Sequence, residues 1–100
     1  MPLSTPTRLR MTRHALDILK SAQEEAAVDP VRGTPAMRLA LSWLVMDGVA
    51  EAWQATSFWL AATKPPEAPD RPLALYVRQR DMQIYIDRWE RVVHDVAGRE

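Results

Sequence analysis

Paired acidic side chains are the residues of this chain whose spacing could support catalysis or metal binding. Asp47 and Glu51 lie one helical turn apart, and two carboxylates at that spacing can ligate a metal ion or transfer protons. Glu90 and His94 repeat the spacing, with Asp87 one turn earlier. A metal site would need further ligands from another helix, and the sequence nominates none. We therefore expect Asp47 and Glu51 to pair with arginines, and predict no catalytic, metal or cofactor site.

The basic residues cluster in one place, near the start of the first predicted helix, at Arg8, Arg10, Arg13 and His14. Arginines beside a helix N-terminus suit a phosphate or another anion, so this cluster is a possible anion contact. The alternative is a solvated segment whose arginines meet nearby acids. The chain carries 13 basic and 13 acidic residues, so its net charge gives no electrostatic footprint for nucleic acid or an anionic membrane.

The absence of cysteine excludes disulfides, thiolate nucleophiles and cysteine-ligated zinc. It is compatible with a cytoplasmic location, which we expect because no apolar run near the N-terminus could form a signal-peptide core. Residues 36–62 are long enough to cross a membrane, but Asp47 and Glu51 near the centre cost more than the apolar residues return. No nucleophile elbow, phosphate loop or dinucleotide fingerprint occurs, so we do not expect an enzyme.

Three helices are predicted, over about 6–28, 35–63 and 72–97, in a single domain. Each start has a capping side chain just before a proline, at Thr5-Pro6, Thr34-Pro35 and Asp70-Arg71-Pro72. Proline-containing stretches at 29–33 and 64–70 end the first two helices. A two-strand hairpin over 75–89 is the competing interpretation of the third segment, but its turn would contain no Gly, Asn or Pro, so we prefer helix.

The middle helix is predicted to have two apolar faces. One holds Leu39, Trp43, Met46, Ala50, Trp53 and Leu60; the other holds Met37, Leu41, Leu44, Gly48, Ala52, Ala55 and Trp59. Gly48, Ala52 and Ala55 would allow close approach of another helix, and Gly48 could kink this one. Trp59 and Trp89 fit a core, whereas core and interface remain equal for Trp43 and Trp53.

A helix with two apolar faces must be covered on both sides. The first predicted helix is a weak partner, because its apolar stripe is mostly Ala with a few Leu and Ile. We therefore predict an all-α fold of three long helices in an elongated bundle or slab, completed by dimerisation through the face of Leu39, Trp43, Met46, Ala50, Trp53 and Leu60. The expected function is a cytoplasmic protein–protein interaction module acting as a homodimer. The alternative is a helical protein that binds nucleic acid through Arg8, Arg10, Arg13 and His14.

Overall fold

The computed structural model describes residues 6–25, 35–63 and 71–99. Four helices follow one another in these ranges: α1 (Pro6–Glu25), α2 (Pro35–Met46), α3 (Ala52–Thr63) and α4 (Arg71–Arg99). The described residues contain no strand, so the all-α class is confirmed, as is the preference for helix over 75–89. The expectation of three helices is wrong, because the predicted 35–63 helix is interrupted at residues 47–51.

The helices pack as a ring of neighbours, with α1 against α2 and α4, and α3 against the same two helices. α1 and α4 are antiparallel, since Lys20 pairs with Glu90 at 3.1 Å and the Gln79 amide donates to the Gln23 carbonyl at 3.2 Å. The molecule measures 49 × 23 × 21 Å. α4 accounts for the long dimension, because its 29 residues span about 43 Å.

The core lies inside the ring and is almost entirely apolar. Its fully buried large side chains come from every helix, with Leu19 on α1, Met37 and Leu44 on α2, Phe58 on α3 and Trp89 on α4. Trp89 is therefore a core residue, as expected. Trp59 is partly buried and packs against this core.

Gly48 ends α2, and the backbone around it explains why the helix stops. Its φ is 78°, in the left-handed region that glycine enters without a steric penalty. The Gly48 N–H donates to the Val45 carbonyl at 3.2 Å, and the Val49 N–H donates to the Leu44 carbonyl at 2.9 Å. These two bonds form a Schellman motif, with the expected apolar contact partners Val49 and Leu44 both buried. The predicted kink at Gly48 is thus a complete helix end.

α3 begins directly after this turn, at a capping arrangement. Glu51 occupies the N-cap position, and its carbonyl accepts the first helical hydrogen bond, from the Ala55 N–H at 3.1 Å. The Gln54 side chain reaches back and accepts the Glu51 N–H at 3.0 Å, which is the second half of a capping box. α2, the turn and α3 together form a helical hairpin, which we call the α2–α3 hairpin.

The turn redistributes the two faces predicted for a continuous helix. Met37, Leu41 and Leu44 are buried as one set, but Gly48 and Ala52 from the same predicted face are exposed. The expected close helix contact at Gly48 and Ala52 is therefore wrong, because the turn rotates α3 relative to α2.

Several predictions fall on residues outside the described ranges. These are the caps at Thr5, Thr34 and Asp70, the last three residues of the 6–28 helix, and the proline-containing stretches at 29–33 and 64–70. Within the described residues, α4 begins one residue earlier and ends two residues later than expected.

We expect Gly48→Ala to lower the free energy of unfolding by about 1–2 kcal/mol, because a Cβ is strained at a left-handed φ. Urea denaturation measures this change. Gly98→Ala is the matched control, since no neighbouring heavy atom lies within 4 Å of the position a Cβ would take. Stabilisation by Gly48→Ala would contradict the turn and indicate a continuous helix, in which alanine is favoured over glycine.

Candidate functional site

The outer surface of the α2–α3 hairpin carries four of the seven exposed large apolar side chains among the described residues. Leu39 is 71% exposed, Met46 81%, and Trp53 and Leu60 55% each. Each helix contributes one i, i+7 pair, and residues at that spacing share a helix face. The exposed residues on this side, which we call the hairpin face, are Arg38, Leu39, Ser42, Met46, Ala52, Trp53, Thr56 and Leu60.

A groove of about 700 Å³ runs between α2 and α3 within the hairpin face. Its walls are mainly apolar, with Leu41, Val45 and Ala55 among the lining residues. The guanidinium of Arg38 lies 5.7 Å from the ring centroid of Trp59 at one end. This distance allows a cation–π contact that holds the Arg38 side chain beside the groove.

The hairpin is also poor in charge. Residues 35–63 contain three of the chain's charged side chains, Arg38, Asp47 and Glu51, whereas α4, of the same length, contains ten. Asp47 is buried, so Arg38 and Glu51 are the two exposed charges of the hairpin. Depletion of charge around exposed apolar side chains is the compositional mark of a contact surface between proteins.

The six predicted interface residues occupy different environments. Leu39, Met46, Trp53 and Leu60 lie on the hairpin face. Ala50 is buried in the core. Trp43 is partly buried, and its indole N–H donates to the Thr12 hydroxyl at 2.8 Å. Ala50 and Trp43 therefore face the fold itself. Ala50 does so because the turn interrupts the helical periodicity, and Trp43 because its edge of α2 packs against α1.

Asp47 belongs to a buried polar cluster that joins α1 to the end of α2. Its carboxylate pairs with the Arg8 guanidinium, which is partly exposed. The Thr12 hydroxyl lies 3.3 Å from the other carboxylate oxygen and 2.9 Å from the Arg8 carbonyl, and its single proton can serve either acceptor. Asp47 thus pairs with an arginine, as expected from the sequence. Thr12 also belongs to this cluster, although nothing in the sequence indicated it.

Arg8 is separated from the rest of the predicted basic cluster by this pairing. Arg10, Arg13 and His14 are exposed, and at i, i+3 and i+4 they share the outward face of α1, which Arg8 does not join. Arg13 and His94 line a pocket of about 340 Å³ together with Lys20 and the acids Asp17 and Glu90. The pocket thus mixes both signs of charge, and the four basic residues do not form one surface.

The acidic pairs considered for metal binding have other contacts. The carboxylate of Glu51 accepts the indole N–H of Trp53, and Glu90 pairs with Lys20. In the described part of the chain, no group of three or more His, Asp or Glu side chains could hold a metal ion. None of the described helices is both long and apolar enough to cross a bilayer.

Aromatic contacts fix α3 on α4. The rings of Trp53 and Tyr85 meet edge to face with centroids 6.2 Å apart, and Tyr85 stacks on Trp89 at 5.7 Å. The buried indole N–H of Trp89 donates to the Gln54 side-chain oxygen at 3.0 Å. Gln54 therefore both caps α3 and satisfies a core donor. These two roles of Gln54 were not predicted from sequence, although its position three residues after Glu51 is the capping-box spacing.

Arg78 is an unusual member of the buried stripe of α4. It continues the apolar series Met82, Ile86, Trp89 and Val93 at helical spacing, and only 7% of it is exposed. Its Nη1 has no hydrogen-bond partner among the described residues. Burial lowers the pKa of the guanidinium, because desolvation disfavours its charged form.

Comparison of the chain with family models, characterised proteins and solved structures gives no match. The features of the described residues that bear on function are the hairpin face and the buried contacts that position it.

We expect Asp47→Ala to lower the free energy of unfolding by about 1–3 kcal/mol, because it removes the buried carboxylate that pairs with Arg8 and lies beside Thr12. Thermal and urea denaturation measure the loss. Asp81→Ala, at an exposed position on α4, is the control and should change stability by no more than about 0.5 kcal/mol. Equal effects of the two variants would show that the buried polar cluster does not hold α1 to α2.

Arg78→Met should raise the free energy of unfolding by about 1–4 kcal/mol, since an apolar side chain of similar length replaces a buried guanidinium whose Nη1 has no hydrogen-bond partner among the described residues. Arg80→Met removes the same charge from an exposed position of the same helix and should be nearly neutral. A destabilised Arg78→Met variant would indicate that the guanidinium has an acceptor in solution.

Proposed function

We propose that this chain is a small helical protein–protein interaction module that acts as a homodimer, serving as an adaptor, inhibitor or assembly subunit. The observation that carries this proposal is the hairpin face, where four large apolar side chains are exposed around an open groove. Exposed apolar groups that share one surface favour association, because contact removes them from water. A binding role in the cytoplasm is part of the same proposal.

Different side chains of the hairpin hold it on the fold and form its outer surface. The side chains that hold the hairpin on α1 and α4, among them Asp47, Gln54 and Phe58, point inward and are buried. Leu39 and Met46 point outward. Leu39 and Met46 are thus outer side chains that the core does not require, whereas Trp53 also packs on Tyr85 of α4.

A second copy is the partner that the hairpin face fits. The whole chain has no net charge, so two copies do not repel each other over long range. A surface with i, i+7 apolar pairs on two adjacent antiparallel helices can complement itself about a two-fold axis.

The area available indicates a weak dimer. Two 12-residue helices are each about 18 Å long and about 10 Å wide, which gives a face of about 360 Å² in projection. A standard stable interface buries about 800 Å² on each partner. We therefore expect dissociation in the micromolar range.

Sedimentation equilibrium at micromolar to millimolar concentration tests the proposal. The native chain should move from one-chain to two-chain mass, and Leu39→Ser combined with Met46→Ser should remain at one-chain mass with its helicity retained. Trp43 is unsuitable for this test because its indole is bonded to Thr12.

Ile84→Ser is the matched control, because Ile84 is 49% exposed on α4, on the side of that helix away from its buried stripe. This variant should dimerise as the native chain does. A mass of one chain at all concentrations would contradict the homodimer and leave only a different protein as the partner.

A further inference from the structure

We propose that the two hairpin faces of the dimer pack antiparallel, with Arg38 of each copy beside Glu51 of the other. This inference rests on the proposed homodimer and adds the orientation of the partner and the residues that select it. The positions of the exposed apolar and charged side chains along the hairpin distinguish this orientation from the alternative.

The exposed apolar side chains are arranged symmetrically along each helix. Leu39 and Met46 lie on either side of Ser42, and Trp53 and Leu60 lie on either side of Thr56. Ser42 and Thr56 are each four residues from the turn end of their helix, and both line the groove. They therefore stand at nearly the same height along the hairpin.

A two-fold axis that crosses both helices at this height places residues of one copy opposite complementary residues of the other copy. α2 then lies antiparallel to α2 of the second copy, and Leu39 meets Met46. On α3, Trp53 meets Leu60 in the same way. The short side chains of Ser42 and Thr56 lie at the centre, where they let the two faces approach closely.

The same axis brings the exposed charges of opposite sign together. Arg38 lies at the open end of the hairpin and Glu51 lies at the turn. α2 rises about 12 Å between Arg38 and Met46, so reversal of one copy about Ser42 places Arg38 at the level of the other copy's turn. The Arg38 guanidinium reaches Trp59, so its side chain extends from α2 toward the α3 side of the face, which is the side where Glu51 lies. Two such pairs form in each dimer, at the edge of the apolar contact.

The other two-fold arrangement places the axis along the hairpin. The turns of the two copies would then lie at the same height, which brings the two Glu51 carboxylates near each other. Arg38 would lie over the α3 of the second copy, which contains no charged residue. Like charges in contact disfavour an arrangement, so Arg38 and Glu51 select the antiparallel one.

A charge-reversal cycle measured by sedimentation tests this orientation. Arg38→Glu should weaken dimerisation by about tenfold at low salt, and Glu51→Arg should do the same, because each creates two like-charge contacts. The double variant should recover most of the native affinity. Denaturation of each variant shows whether its fold is intact, which matters for Glu51 because it also caps α3.

Cysteine cross-linking is a second measurement that does not depend on charge. The chain contains no cysteine, so single replacements report unambiguously. A mixture of the Leu39→Cys and Met46→Cys proteins should form a mixed disulfide on oxidation, since the antiparallel arrangement brings these positions together.

Two outcomes would overturn the orientation while leaving the homodimer intact. One is a dimer in which Leu39→Cys cross-links to Leu60→Cys instead of Met46→Cys. The other is a charge-reversal double variant that dimerises no better than its single variants. Failure of the native chain to dimerise at any concentration would instead contradict the proposed function itself.

Discussion

The left-handed backbone at Gly48 is the constraint on which the arrangement of the hairpin depends. Because the chain reverses there, residues 35–63 form two short helices rather than one rod. The Schellman bonds to Val45 and Leu44 satisfy carbonyls that would otherwise lack partners, and Val49 and Ala50 then enter the core. The turn therefore contributes to the core as well as to the change of direction.

Two buried polar groups hold the hairpin on the long helices. Asp47, next to Gly48, is joined to α1 through Arg8 and lies beside Thr12. Gln54, in the first turn of α3, is joined to α4 through Trp89. One polar residue at the start of the turn and one in the first turn of α3 thus connect the hairpin to the two long helices, α1 and α4. Their hydrogen bonds are directional, so they determine the orientation of the hairpin more narrowly than apolar packing does.

Asp47 and Gln54 point inward to α1 and α4. The outward side of the hairpin is nearly free of charge and rich in apolar side chains. A monomeric surface helix commonly carries charges on its outer side, as α1 and α4 do here. The contrast between the hairpin and the long helices within one small chain underlies the proposal of a contact surface. Arg38 and Glu51, at opposite ends of that surface, carry the information about how a second copy would be oriented.

The helical class of the described residues could be predicted from the amino-acid sequence alone. Proline positions and apolar periodicity predict helices from sequence, because they act through local backbone sterics and through the burial of one helix face. The sequence also indicated that residues 35–63 have too many apolar positions for one buried stripe. The glycine alone did not distinguish a kink from a helix end, because either is compatible with a single glycine in an apolar segment.

The left-handed conformation of Gly48 depends on tertiary packing, since it brings Leu44, Val49 and Ala50 into a common core. Tertiary packing also decided that Ala50 and Trp43 face inward while Leu39 and Met46 face outward. A helical repeat assigns residues to faces only while the helix continues. Once the chain turns, the contacts of Asp47 with α1 and of Gln54 with α4 determine which side of each helix is covered.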